Sequence, residues 1–252
     1  MIIRGINIFS SGYQGALLLI FEGFTYPKKS FCISATSVHG IMTSTRDYNF
    51  KLILQKFYLN LPDGMPIVWY GKLLGFSNIS RCYGPDLILS VLGMTSKNKE
   101  IKHFLCGGKP GVASLLANKL KFITGNDNLV GTYSPPFKDM SKWDWEDLVA
   151  SINSSCANVI WVGISTPKQE KFAYELSKLV KVFFLFTVGA AFDIHAGRIS
   201  QSPRWMQRFG LEWFYRLCKE PRRLWKRYIE IVPKFAILAG VDLIKHYLRK
   251  RT

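Results

Sequence analysis

The sequence is short of acid. Its 252 residues carry 17 Asp and Glu against 34 Lys and Arg, a formal charge of +17. That imbalance points to an anionic partner: nucleic acid, anionic lipid or a phosphorylated substrate. No apolar run reaches the ~20 residues that a spanning helix needs, so an integral membrane protein is not expected. The stretch Ala16-Leu-Leu-Leu-Ile-Phe21 is short, meets Glu22 and has no small-residue cleavage site after it, so no signal peptide is expected and the chain is placed on the cytosolic side. The five cysteines (Cys32, Cys82, Cys106, Cys156, Cys218) are scattered and form no C-x-x-C pair, which leaves a disulfide framework or Cys-rich zinc site without support and makes reduced thiols the expectation. The four histidines have no metal-ligand spacing, and no protein-built metal site is expected. G-x-G-x-x-G, G-x-x-x-x-G-K-[ST] and G-x-S-x-G are all missing, as are repeats and low-complexity segments.

What is present is a globular composition, 48% hydrophobic and 14% aromatic, and a regular alternation. Short apolar runs predict strands over 29–34, 101–106, 129–133, 158–163 and 182–188. Helical periods predict helices over 39–57, 67–74, 112–122, 145–154 and 167–179, with another starting at Pro85. Asp144 is the expected cap of the 145–154 helix. Strands that alternate with helices, and that are apolar along their whole length, predict an α/β fold: a Rossmann-like parallel sheet covered by helices on both faces.

The composition changes near Pro203. From residue 204 to 252 there are 13 Lys and Arg against 4 Asp and Glu, interleaved with Trp205, Phe209, Trp213, Phe214, Tyr215, Trp225 and Tyr228. Residues 1–203 are therefore read as the core, and 204–252 as a basic, helical, aromatic-rich appendage. An amphipathic helix is expected over 234–248, with Phe235, Leu238, Val241, Ile244 and Leu248 on one side.

Four segments carry candidate chemistry. Gly107-Gly-Lys-Pro-Gly111 is a βα turn whose N–H groups can face a phosphate, or simply a tight turn. In Val162-Gly-Ile-Ser-Thr-Pro-Lys-Gln-Glu170, Ser165 or Thr166 is placed to cap a helix begun by Pro167, with Lys168, Gln169 and Glu170 aimed at the carboxyl edge of the sheet, where such folds bind ligands. In Leu61-Pro-Asp-Gly-Met-Pro66, Asp63 is either a helix cap or a general base for an acceptor hydroxyl. Gly189, Asp193 and His195 follow a buried strand; small residues there admit a ligand close to the backbone, while His195 reads as a structural histidine.

Six motifs in order then carry a resemblance. They are Ala35-Thr-Ser-Val-His-Gly40, Leu61-Pro-Asp-Gly-Met-Pro-Ile-Val-Trp69, Arg81-Cys-Tyr-Gly-Pro-Asp-Leu87, Val162-Gly-Ile-Ser-Thr-Pro-Lys-Gln-Glu170, Val188-Gly-Ala-Ala-Phe-Asp-Ile-His-Ala-Gly197 and Gly210-Leu-Glu-Trp-Phe-Tyr-Arg-Leu-Cys-Lys-Glu-Pro-Arg-Arg-Leu-Trp-Lys-Arg-Tyr228. From about residue 30 to 230 the chain resembles the WecG/TagA/CpsF family of bacterial glycosyltransferases. The resemblance implies inverting transfer from a UDP-sugar to a sugar on a polyprenyl-diphosphate carrier, at the cytosolic face of the membrane, in cell-surface polysaccharide synthesis. It implies no cofactor and no metal. By motif, Asp63 matches the base and Arg81 the arginine that neutralises phosphate charge. Thr36, Ser37 and His39 line the sugar pocket, Gln169 belongs to the same pocket, and Gly163, Gly189 and Asp193 lie on the nucleotide side. Many relatives have Asn where Ser37 stands, and a commoner Val-Gly-Leu-Gly where Val162-Gly-Ile-Ser165 stands. A basic, aromatic appendage suits an anionic bilayer and a diphosphate head, for which Arg216, Arg222, Arg223 and Arg227 are the candidate contacts.

Two other classes compete. A nucleic-acid-binding protein would use the same basic surface, but no nucleic-acid motif is present. A non-catalytic scaffold of an assembly complex would leave Asp63 and Gln169 without a task. The sequence leaves the donor sugar and the oligomeric state open.

Overall fold

The structure is a computed structural model that describes the backbone of residues 1–251 and the side chains of residues 1–248. It opens with an antiparallel hairpin, β1 (Ile2–Ile3) and β2 (Ile6–Asn7). Arg4 and Gly5 between them both take positive φ, 52° and 83°, as the twist of a two-residue hairpin loop requires. Helix α1 (Gly12–Gly23) follows and buries Ala16, Leu17 and Ile20, so the early apolar stretch is a core helix. The chain continues through β3 (Phe31–Thr36), α2 (Val38–Ser44), α3 (Tyr48–Lys56), β4 (Leu59–Pro62), α4 (Met65–Leu73), α5 (Gly84–Thr95), β5 (His103–Gly107), α6 (Val112–Thr124) and β6 (Leu129–Tyr133). Then come α7 (Trp145–Ser154), β7 (Val159–Gly163), α8 (Lys168–Ser177), β8 (Phe184–Thr187), α9 (Ala191–His195), α10 (Arg204–Arg208), α11 (Glu212–Lys219) and α12 (Pro221–Arg251).

Strands β3 to β8 form one six-stranded parallel sheet in the order β4-β3-β8-β7-β5-β6. This is the α/β, Rossmann-like architecture expected. Alternate residues serve opposite faces, as the pleat dictates. Val159 and Trp161 join Phe184 and Phe186 in one layer, while Ile160, Val162 and Leu185 join Phe172 of α8 in the other. Trp161 stacks on Phe186 at 4.3 Å between ring centres. The chain leaves β5 toward β6 and leaves β7 toward β8, in opposite directions. A crevice therefore opens at the tips of β5 and β7, where such sheets bind ligands. There Gly107 and Gly163 approach so closely that a Cβ on Gly107 would lie 2.4 Å from the Gly163 carbonyl.

Four expectations are corrected. The helix over 39–57 is two helices, because Asp47 caps α3 by accepting from the Phe50 N–H at 2.9 Å, which ends the first helix before it. A strand, β4, takes in the first half of the Leu61-Pro-Asp-Gly64 segment; it sits at the sheet edge, where Pro62 leaves no donor missing from a ladder. The last helix begins at Pro221 and runs through Pro233, held there by Ile231 and Phe235 packing on Met42 of α2. Its core-facing side is also rotated. Leu238, Ala239 and Leu243 pack inward and Asp242 pairs with Arg4 at 3.0 Å, while Val241, Ile244 and Leu248 are exposed. No helix among the described residues is long and apolar enough to cross a membrane.

Candidate active site

Asp63 follows the last residue of β4. Its N–H donates to the Thr36 carbonyl at 3.1 Å, extending the β3–β4 ladder by one step and lifting the carboxyl just past the edge of the sheet. It is not a helix cap. Gly64 occupies that position before α4, and Asp63 Oδ1 instead accepts from the Gly84 N–H at 3.2 Å, because Gly84 opens α5 directly across the cleft. A Cβ at Gly84 would come within 2.8 Å of the Val188 carbonyl, so glycine is what allows that approach. Burial pushes Asp63 up to about 6, and Glu212 adds to the rise; Arg81, the Gly84 N–H and Arg216 oppose it.

The Arg81 guanidinium carbon lies over the Tyr83 ring, 3.8 Å from its centre. Its Nε donates to the Asp63 carbonyl at 2.7 Å, and one of its amino groups pairs with Glu212 of α11. The Tyr83 hydroxyl donates to the other Glu212 oxygen at 2.8 Å. Against the cost of burial, Asp63 and then Glu212 hold the Arg81 pKa above its ordinary value. Tyr83 is pushed up, by burial first and by Glu212 second, so it stays a neutral donor at neutral pH. Arg81 is thus a fixed cation beside the base.

The remaining candidates divide. Ser37 caps α2, accepting from the Gly40 N–H at 3.5 Å. His39, two residues on, sits against Thr43 Oγ1 at 3.2 Å and is lowered to about 4, by burial first and by Arg227 second, so its ring is neutral at physiological pH. Thr36 is buried, its hydroxyl directed to Asn60 Oδ1 at 3.3 Å and the Ser34 carbonyl at 3.5 Å. Gln169 is buried on the first turn of α8, with Nε2 on Glu170 Oε1 (2.9 Å) and Thr166 Oγ1 (3.3 Å). The cap expected of Ser165 or Thr166 does not form. The helix starts one residue later, at Lys168, and the Thr166 hydroxyl is drawn to Glu170 Oε1 at 2.9 Å. Gly163 has a packing reason of its own: a Cβ there would lie 2.1 Å from the Phe192 ring. Gly189 takes φ 54°, turning the chain beside Gln169. Asp193 lies in α9 with Arg198 Nε at 3.7 Å, and His195 Nε2 meets the Pro85 carbonyl at 2.8 Å.

The appendage closes the site with arginines. Arg216 on α11 and Arg227 on α12 act on Asp63 and His39 respectively, and Arg227 is lowered by burial first, with Arg223 and Arg216 adding to the shift. The Arg216 Nε is buried with no hydrogen-bond partner among the described residues. Arg223 pairs with Glu220, and Arg222 is exposed. Arg216, Arg223 and Arg227 therefore converge; Arg222 lies on a different side of α12. Reading the sequence alone missed Tyr83, Glu212 and the burial of Glu170 among hydrogen-bond donors, although each lies inside one of the six motifs.

A base at pKa about 6, a fixed arginine beside it and a half-buried arginine cluster facing both can take a proton from a hydroxyl while holding phosphate charge. The family model described as glycosyl transferase WecG/TagA/CpsF matches residues 1–250. An N-acetylglucosaminyldiphosphoundecaprenol N-acetyl-beta-D-mannosaminyltransferase of Bacillus subtilis (strain 168) is 29% identical over 220 residues, covering 87% of this chain and 81% of its own. A protein with the same name from Bacillus spizizenii (strain ATCC 23059 / NRRL B-14472 / W23) is 27% identical over 208 residues, 82% of this chain and 77% of its own.

Proposed function

The chain belongs to the WecG/TagA/CpsF family of glycosyltransferases, and on that premise we propose that it transfers a sugar from a UDP-sugar, with inversion, to a saccharide on a polyprenyl diphosphate. The product enters a cell-surface polysaccharide, and the enzyme works from the inner face of the membrane. The relatives are named for an N-acetylmannosaminyl group and an N-acetylglucosaminyl-diphosphoundecaprenol acceptor, so UDP-N-acetylhexosamines are the first donors to test.

The observation that carries this reading is Asp63, raised to about 6 and backed by Arg81. In the reaction the acceptor oxygen attacks the anomeric carbon, the bond to the UDP oxygen breaks, and the acceptor proton passes to the Asp63 carboxylate. A base of pKa about 6 is ionised at neutral pH yet basic enough to take that proton. Arg81, held by Glu212 and Tyr83, adds fixed positive charge next to the reacting centre without having to reorganise. Arg216, Arg223 and Arg227 suit a diphosphate, since the half-buried ones have few acidic partners. Thr36, Ser37, His39 and Gln169 form the sugar side, and Gly163, Gly189 and Asp193 the nucleotide side. Trp205, Phe209, Phe214, Trp225 and Ile229 are exposed among basic residues, a surface suited to an anionic bilayer.

UDP release is the test, measured across UDP-sugars with a short-chain prenyl-diphosphate-GlcNAc acceptor and vesicles. Release that needs one donor and the acceptor, and that Asp63→Asn abolishes, is expected. A folded protein that releases no UDP across the panel, and binds none by calorimetry, overturns the reading.

A further inference from the structure

Beneath the carboxyl edge of the sheet lies a buried carboxyl group that the transfer mechanism leaves unused. Glu170 is 2% exposed on the first turn of α8. Its Oε1 faces three groups: Thr166 Oγ1 at 2.9 Å, Gln169 Nε2 at 2.9 Å and Ser34 Oγ at 3.5 Å. Its Oε2, the Gln169 Oε1 and the neighbouring Thr187 Oγ1 are buried without a hydrogen-bond partner among the described residues.

These contacts fix which way round the Gln169 amide sits. Thr166 has one hydroxyl proton, and it goes to Glu170, which through Oε1 can only accept. The Thr166 oxygen is then left to accept, and it does so from Gln169 Nε2 at 3.3 Å. Both contacts on that end of the amide therefore require N–H. A flipped amide would set its carbonyl against the Glu170 oxygen and the Thr166 lone pairs at once. The Gln169 carbonyl is left as the unpartnered end of an amide that runs alongside Gly189, with Oε1 3.6 Å and Nε2 3.7 Å from the place a Cβ would occupy. Gly189 turns there with φ 54° and carries no side chain to cover it.

We propose that Glu170 is a positioning residue: it fixes the polarity of the Gln169 amide so that Gln169 presents an acceptor, and the site selects a sugar nucleotide that offers an N–H or O–H group at that point. A buried acceptor without a partner is costly to leave unmatched, so a ligand donor gains what an acceptor or an apolar group there would lose. The inference rests on the glycosyltransferase reading for its ligand, but not for the Glu170–Gln169 link itself.

The experiment has two arms. In the first, the Gln169 side-chain amide protons are followed by heteronuclear NMR, assigned by their loss in Gln169→Ala. Slow exchange with solvent is expected in the wild type and in Glu170→Gln, whose carbonyl still accepts, and fast exchange in Glu170→Met. Unchanged exchange in a folded Glu170→Met protein overturns the link. In the second arm, UDP release is measured through a double-mutant cycle. Glu170→Met and Gln169→Ala are each expected to raise KM for the sugar nucleotide by roughly tenfold with kcat changed far less, and the double variant to match Gln169→Ala. Losses that simply add mean that Glu170 acts only on packing, and overturn the proposal. If the wild type releases no UDP from any donor, the transferase reading fails, while the first arm still decides whether Glu170 orients Gln169.

Discussion

The sheet and the C-terminal helices supply facing walls of one cleft, and they treat charge in opposite ways. On the sheet side stand two buried acids, Asp63 and Glu170, both raised by burial and both tied to N–H or O–H donors. On the helical side stand guanidinium groups, and that of Arg216 holds a buried Nε without a partner. A raised carboxyl group is suited to moving a proton, and a half-buried arginine without an acid is suited to an anion it has yet to meet. The two walls touch where Glu212 of α11 pairs with Arg81, each about 15% exposed. Under the proposed function this difference assigns proton chemistry to the sheet side and phosphate charge to the C-terminal helices, with the Arg81–Glu212 ion pair joining them.

The strongest way to break this comparison is Asp63→Asn. The amide keeps the size and can still meet the Gly84 N–H, but it takes no proton. Turnover is expected to fall by about 10²–10⁴-fold, the usual contribution of a positioned base. The same change should stabilise the protein. A folded pKa of about 6 against 3.8 unfolded means the native state binds more protons between those values, so the Asp63 contribution to stability falls as pH rises through that window and stays at its full, constant cost above it. Thermal melts at pH 7.5 should therefore show Asp63→Asn melting higher than the wild type, with the difference fading toward pH 4. A variant that is both active and no more stable removes Asp63 from the role of base.

Next in size are Arg216→Ala and Arg227→Ala. On the proposed function each removes a charge-assisted contact to the acceptor or donor phosphate, and each should then cost roughly 10–100-fold in kcat/KM. Lysine at either place should recover only part of the loss, because it offers a point charge where a fork is needed. His39 gives a second readout. It is lowered to about 4 by burial and then by Arg227, so Arg227→Ala should raise its titration midpoint, measurable by NMR without any substrate.

Glu212→Gln sharpens the junction between the walls. Glu212 is the second cause of the rise at Asp63, so removing its charge should move the acid limb of the pH–rate profile to lower pH. The rate falls when the base is protonated, so the variant should retain more of its own maximum at pH 5.5 than the wild type does. A limb that stays in place would mean Glu212 serves only to join α11 to the core.

The sheet was legible because parallel strands buried on both faces are apolar throughout, as in residues 158–163 and 182–188. Strand β4 was not. It is four residues long, contains Asn60 and Pro62, and exists only because β3 lends it an edge. Asp63 was legible from the prolines and glycine around it, and the structure removes the cap reading, since Gly64 holds that position before α4. Glu212 was hidden because its partner lies 131 residues away, so no local pattern reports the pairing. Glu170 was half legible: its place on a first helical turn aimed it at the carboxyl edge of the sheet, but its burial against Ser34 of β3 depends on the tertiary fold. The arginines fell between these cases. Their motif was visible, but which of them face the cleft depends on the rotation of α12, and that is set by Ile231 and Phe235 on α2 and by Asp242 on Arg4.

Arg222 provides the smallest effect and the cleanest control. It neighbours Arg223 in sequence and is exposed like it, but unlike Arg223 it makes no hydrogen bond or ion pair among the described residues. Arg222→Ala should leave turnover of a short-chain acceptor in detergent-free solution within about twofold, as expected of a surface charge. On vesicles rich in anionic lipid it should weaken binding by roughly fivefold, the order of one basic residue at a charged surface, and added salt should erase the difference. Arg227→Ala should show the reverse balance, with a large loss on the soluble acceptor. If Arg222→Ala damages soluble turnover as much as Arg227→Ala does, α12 presents one undivided basic surface. The separation between an anion-holding inner side and a membrane-facing outer side would then be wrong.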